Sequence, residues 1–135
     1  MPAQKKIREW AGAVLSKYGN QAEVTIRIVD EIESKQLNEK WRKAQGATNV
    51  LSFPAGDTTG TVVPVLLGDV VICAPVVQRE AHEQNKTFHA HLAHMVIHGV
   101  LHLLGFDHVK KQDATLMESI ETSLLESLGY ANPYQ

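Results

Sequence analysis

The chain has 135 residues, 44% hydrophobic and 21% charged, a balance that fits one globular domain over 1–135 and excludes a disordered chain. Cys73 is its single cysteine, so neither a disulfide framework nor a cysteine-rich zinc module is available, and a reducing compartment suits it. A net charge of −2, apolar runs well short of the ~18 residues of a membrane span and an N-terminus without a signal-peptide core set the expectation of a soluble cytoplasmic protein with no membrane partner.

Ile7, Trp10, Val14 and Tyr18 recur at helical spacing, and Gly19 is placed to stop that helix. Val24, Ile26 and Ile28 alternate with Glu23, Thr25 and Arg27, the pattern of a half-buried strand. Asp30 can cap a second helix whose apolar positions include Leu37, Trp41 and Ala44. Val50, Leu51 and Phe53 form a short strand that Pro54 ends, and residues 55–61 read as a loop. Residues 66–73 form a buried strand in which Gly68 marks a bulge or a close backbone approach. Pro75 opens a helix to about Asn85. Thr87 caps the next, which runs to about Leu104 before Gly105 ends it. Leu116, Ile120, Leu124 and Leu128 define a last helix closed by Gly129. Trp10 and Trp41 lie on apolar helix faces and are expected in the core, as is Cys73. Strands and helices interleave, which predicts one mixed sheet with helices packed against it.

Charge and histidine are unevenly distributed. Residues 1–43 carry a balance of +3 and residues 44–135 a balance of −5. A nucleic-acid surface would therefore belong to the N-terminal third, although ordinary solvated lysines give the same composition. All seven histidines fall between His82 and His108.

The chemistry centres on residues 94–108, HMVIHGVLHLLGFDH. His98 and His102 are four apart on a predicted helix, so their side chains share one face about 6 Å apart along the axis. Gly105 lets the chain turn sharply after that helix, which can bring His108 back as a third ligand. Three imidazoles suit one zinc ion per chain and leave a fourth position for water, the arrangement of a catalytic site. That water is the expected nucleophile. His94 and His98 share the same spacing, so a single pair is ambiguous; the full H-x₃-H-x₂-G-x₂-H string is far more specific. His91 and His94 lie on the same stripe and are read as supporting or substrate-facing groups, His82 and His89 as surface residues.

The spacing equals that of the metzincin peptidases, H-E-x-x-H-x-x-G-x-x-H, with one departure. Gly99 stands where those enzymes carry the glutamate that acts as general base. A metzincin-like metallopeptidase is thereby demoted to a lesser alternative.

The string from His98 through Gly99, Leu101, His102, Leu103, Gly105 and Asp107 to His108 resembles the signature HGxLHLxGxDH of the YbeY-type endoribonucleases, or rRNA maturation factors. Leu37-Asn38 with Arg42 resembles the family's L-N-x₃-R helix. Residues 48–54 (TNVLSFP) resemble its T-[DN]-V-L-S-F-P strand, and Leu67-Gly68-Asp69 with the following Val70-Val71-Ile72 its L-G-D-[IV]-x-I strand. Met117 with Glu121, then Leu128-Gly129-Tyr130, resemble its final helix and end.

The resemblance implies a zinc-dependent, single-strand-specific endoribonuclease. Its implied role is ribosomal RNA processing, at the 3′ end of small-subunit rRNA, together with ribosome maturation and quality control. Single-stranded or ribosomal RNA, the small subunit and assembly factors are the implied partners. The implied fold is α+β, a single domain with a central mixed four-stranded sheet, flanking helices and a zincin-like metal site on a helix plus the following loop. Arg42 matches the family's functional arginine. A guanidinium offers paired hydrogen bonds to phosphate and can stabilise charge in a transition state; on residues alone, a surface arginine in a charged run is the favoured reading of Arg42. Asp107 either orients an imidazole or caps the turn. Asp69 and Ser52 either edge the cleft or act as buried polar supports. The competing class is a non-catalytic, zinc-stabilised ribosome assembly factor, in which the metal only ties the helix to the loop after it.

Overall fold

The computed structural model describes residues 2–19, 22–55, 65–106 and 110–134. Most of the expected loop 55–61, and the candidate residues Asp107 and His108, lie outside them. Among the described residues the elements are α1 (Gln4–Val14), continued by a π-helical turn over Leu15–Gly19, then β1 (Ala22–Val29), α2 (Glu31–Trp41), β2 (Val50–Pro54), β3 (Val65–Cys73), α3 (Ala74–Glu83), α4 (Phe88–Leu103) and α5 (Lys111–Ser127).

The helix boundaries follow from cap chemistry. Asp30 accepts a hydrogen bond from the Glu33 N–H at 2.8 Å, and Thr87 Oγ1 accepts one from Ala90 N–H at 3.1 Å; each satisfies an N–H that the first helical turn leaves without a partner. Gly105 takes a φ of +100°. The Phe106 N–H then reaches the Leu101 carbonyl at 3.1 Å and the Gly105 N–H that of His102 at 3.0 Å. This is a Schellman closure, and it turns the chain back directly after His102.

The strands order β1-β3-β2, with β1 parallel and β2 antiparallel to β3. The four-stranded sheet implied by the resemblance is corrected to three among the described residues. Only three described segments carry strand patterning; the other long apolar segments repeat at helical spacing. Central β3 is covered on both faces: Val70, Val71, Ile72 and Cys73 are all buried. Gly68 serves both roles expected of it. The register with β1 slips there, Glu23 facing Leu66 and Val24 facing Gly68, and a Cβ on Gly68 would lie 2.1 Å from the Phe53 carbonyl oxygen.

Two cores result. On one face, Val70 and Ile72 pack with Trp10 and Val14 of α1, with Met117 and Leu125 of α5, and with Leu92, Val96, Ile97, Val100 and Leu101 of α4. On the other, Val71 and Cys73 pack with Val29, Leu51, Val76 and, from α2, Leu37. Helix α4 lies so close to the sheet that a Cβ on Gly99 would meet a Val70 methyl at 2.5 Å and a Val50 methyl at 3.2 Å. Trp41, expected in the core beside Trp10, is 59% exposed, whereas Trp10 is 1% exposed. The second helix was expected to continue to Ala44. It stops at Trp41, and Lys43 takes a left-handed φ of +58°, so the buried stripe through Ser34 and Asn38 ends before another turn can cover the indole.

Candidate metal centre and cleft

Helix α4 carries a line of histidines along its length. His91 and His94 are buried, whereas His82 and His89 are exposed, as expected of them. His91 Nε2 contacts Glu80 Oε1 at 2.8 Å, and the same carboxylate accepts from Asn49 Nδ2 at 3.1 and 3.2 Å. That link ties α4 and α3 to the start of β2. Burial pushes the His91 imidazole down against the opposing pull of Glu80, which favours its neutral form.

The next three histidines form the centre. The His94 and His98 rings lie 6.2 Å apart and those of His98 and His102 4.8 Å apart, all edge to face. Glu121 comes up from α5 with no exposed surface. Its Oε1 lies 2.6 Å from His94 Nε2 and its Oε2 2.7 Å from His98 Nδ1, and the Tyr134 hydroxyl donates to Oε1. Burial, the largest influence on Glu121, pushes its pKa up. Hydrogen bonds from His94 and His98, the His98 charge and the Tyr134 hydrogen bond outweigh it and hold the carboxyl at about 2. The group is therefore ionised at neutral pH. Burial and then Glu121 raise the Tyr134 phenol, so it stays protonated and donates. The Lys86 ammonium donates to the Pro133 carbonyl at 2.8 Å, fixing the segment that carries Tyr134.

His94, His98 and Glu121 bring ligand atoms within 4.8 Å of one another and could hold a metal ion. His98 and His102, with β2 and Arg42, also line an open cleft of about 420 Å³ together with Asn49, Val50, Leu51 and Ser52. Ser52 donates to the Gly99 carbonyl at 3.0 Å, so it edges the cleft and supports α4 together. Asp69 pairs in register with Thr25 and Phe53 and does not line the cleft. The Arg42 guanidinium sits 5.6 Å from the Phe53 ring centroid and donates to the Ser52 carbonyl.

The donor chemistry fits a borderline-soft divalent ion, since imidazole nitrogen and carboxylate oxygen are ordinary zinc ligands. With Nδ1 of His98 directed at Glu121, a metal on the cleft side would be met by Nε2. That is the carboxylate–histidine–metal relation that orients a ligand ring. Glu121 and Tyr134 were not singled out as site residues from sequence. A signal for Glu121 existed: it sits on the apolar α5 stripe of Met117, Leu124 and Leu128, where a carboxylate needs a partner.

These features define an α+β protein in which a buried helix presents histidines to an arginine-lined cleft and can hold a metal. The family profile Endoribonuclease YbeY matches residues 2–129. Proteins called endoribonuclease YbeY from Pseudomonas syringae pv. syringae, Pseudomonas syringae pv. tomato and Pseudomonas savastanoi pv. phaseolicola are each 52% identical over 133 residues, covering 98% of this chain and 80% of theirs. The solution structure of TM1509 from Thermotoga maritima superposes with a TM-score of 0.65 at 27% identity, covering 95% of this chain and 84% of that one. The chain belongs to the YbeY endoribonuclease family.

Proposed function

We propose that residues 1–135 form one zinc-dependent domain that cuts single-stranded RNA internally, acting in ribosomal RNA processing at the 3′ end of small-subunit rRNA and in ribosome maturation. Small-subunit components and assembly factors are its partners, in a cytoplasmic setting. No helix among the described residues is long and apolar enough to cross a membrane. The observation that carries this reading is the His98–His102 pair, its rings 4.8 Å apart, opening on the same cleft as Arg42.

One zinc ion is assigned to His98 and His102, with His108 as third ligand from the turn after Gly105. Glu121 and His94 support that set from behind. Both Glu121 oxygens already accept hydrogen bonds in a fully buried position, whereas His98 and His102 reach the cleft. When bound, zinc supplies a Lewis acid for a phosphoryl oxygen and lowers the pKa of a coordinated water.

The residues of the chain do the rest. Arg42 grips the scissile phosphate through paired N–H bonds and stabilises charge as it develops. Ionised Glu121 holds the Nδ1–H of His98 and so fixes the ring. Gly99 offers no general base, and its packing against Val70 and Val50 leaves no room for one, which argues against peptidase chemistry. The test offers purified protein one RNA sequence as a single strand and as a duplex, with an unfolded polypeptide alongside. The single strand alone is expected to be cut. Peptide hydrolysis abolished by His98→Ala would overturn the reading.

A further inference from the structure

We infer that Trp41 is a stacking platform for a base of the single-stranded RNA that enters the cleft. This inference rests on the endoribonuclease reading. Trp41 ends α2 with 59% of its surface exposed, on a chain whose other tryptophan is fully enclosed. An isolated exposed leucine would need no explanation. An indole is the side chain with the most to gain from burial, and this one directly precedes the arginine of the cleft in the chain. Its Cα is one peptide, about 3.8 Å, from that of Arg42, whose side chain lines the cleft with His98 and His102.

Its neighbours are cationic. The Lys40 ammonium lies 5.1 Å from the Trp41 ring centroid, Arg42 follows directly, and Lys43 comes next in a left-handed conformation that turns the chain away from the helix axis. The C-terminal end of a helix favours cations there. An exposed aromatic ring among cationic side chains is the composition by which proteins hold single strands: bases stack on the ring while the cations track the backbone. Duplex RNA keeps its bases stacked on each other and cannot use such a platform, so Trp41 would also contribute to strand preference.

The test exploits the contrast between the two tryptophans. Binding of a short, end-labelled single-stranded oligoadenylate to the zinc-loaded protein is measured by anisotropy for the wild type, Trp41→Ala and Trp41→Phe, and the tryptophan emission of the wild type is followed in the same titration. RNA is expected to quench the solvent-exposed emission of Trp41 and leave that of Trp10. Trp41→Ala should bind about 5- to 150-fold more weakly, the range that loss of one stacked base gives. Trp41→Phe should recover most of that loss. The salt dependence of binding should be unchanged in both variants, because no phosphate contact is removed, and so should zinc content and melting temperature. In cleavage assays KM should rise with kcat nearly constant. Wild-type affinity and KM in Trp41→Ala, with RNA still cut, would overturn this inference and leave the endoribonuclease reading standing. Quenching at Trp41 by RNA that the metal-loaded protein never cuts would overturn the endoribonuclease reading and support the platform.

Discussion

Glu121→Gln removes the charge from the carboxylate that joins α4 to α5 while preserving its shape. Glu121 has no exposed surface and is held at about 2, from an ordinary 4.5. At ~1.4 kcal/mol per tenfold change in proton affinity, that difference corresponds to ~3 kcal/mol of folding stability. A buried charge network that loses one partner costs ~3–5 kcal/mol, the same order. The sign follows from the depression. The folded carboxyl binds its proton less readily than the unfolded one, so its stabilisation is complete above the unfolded value. It is lost as pH falls from about 4.5 toward about 2. Metal-free wild type and Glu121→Gln would be melted at pH 7 and at pH 3.5. With ~2.1 cal/mol/K per residue of unfolding entropy, the variant is expected to melt ~10 °C lower at pH 7, and the gap should narrow at pH 3.5. A gap under ~3 °C at pH 7, or one that is the same at both pH values, would refute the assignment of an ionised, network-holding Glu121.

Three further predictions bear on the site. His102→Ala should release bound zinc while His82→Ala retains it, as read by elemental analysis; His94→Ala should weaken but not abolish binding, and the reverse order would favour the His94, His98 and Glu121 donor set. Arg42→Ala should leave zinc content intact and stability within ~0.5 kcal/mol of wild type, yet cut RNA far more slowly, with Arg42→Lys recovering only part of the rate; wild-type cleavage by Arg42→Ala would make Arg42 a surface residue. Gly99→Ala should cost ~1–3 kcal/mol by urea denaturation through overpacking against Val70, and a neutral substitution would contradict the close approach of α4 to the sheet.

What the sequence made legible is local. Asp30, Thr87 and Gly105 announce helix ends because capping is decided within a few residues. Val24, Ile26 and Ile28 announce a strand because alternation is a two-residue pattern. His98 and His102 could be paired because helix geometry fixes the distance between positions four apart. The rest depends on packing between distant segments. Glu121 meets His98 across 23 positions and His94 across 27, and Tyr134 joins them from beyond α5. Gly99 could be read only as a missing base; that it also admits Val70 follows from where the sheet lies. Trp41 misled because the helix that should have carried a burying stripe past it stops at Trp41 itself, and Lys43, two residues on, leaves the helical conformation.

The claim that organises the site is that RNA cleavage runs through a metal held by α4. It is tested most directly by incubating the purified protein with single-stranded RNA before chelation, after chelation and after restoring zinc, with His98→Ala carried through the same steps. The expected result is cleavage that disappears with the metal, returns with zinc and is absent throughout in folded His98→Ala. Cleavage that persists through chelation, or that His98→Ala retains at the wild-type rate, would contradict the account.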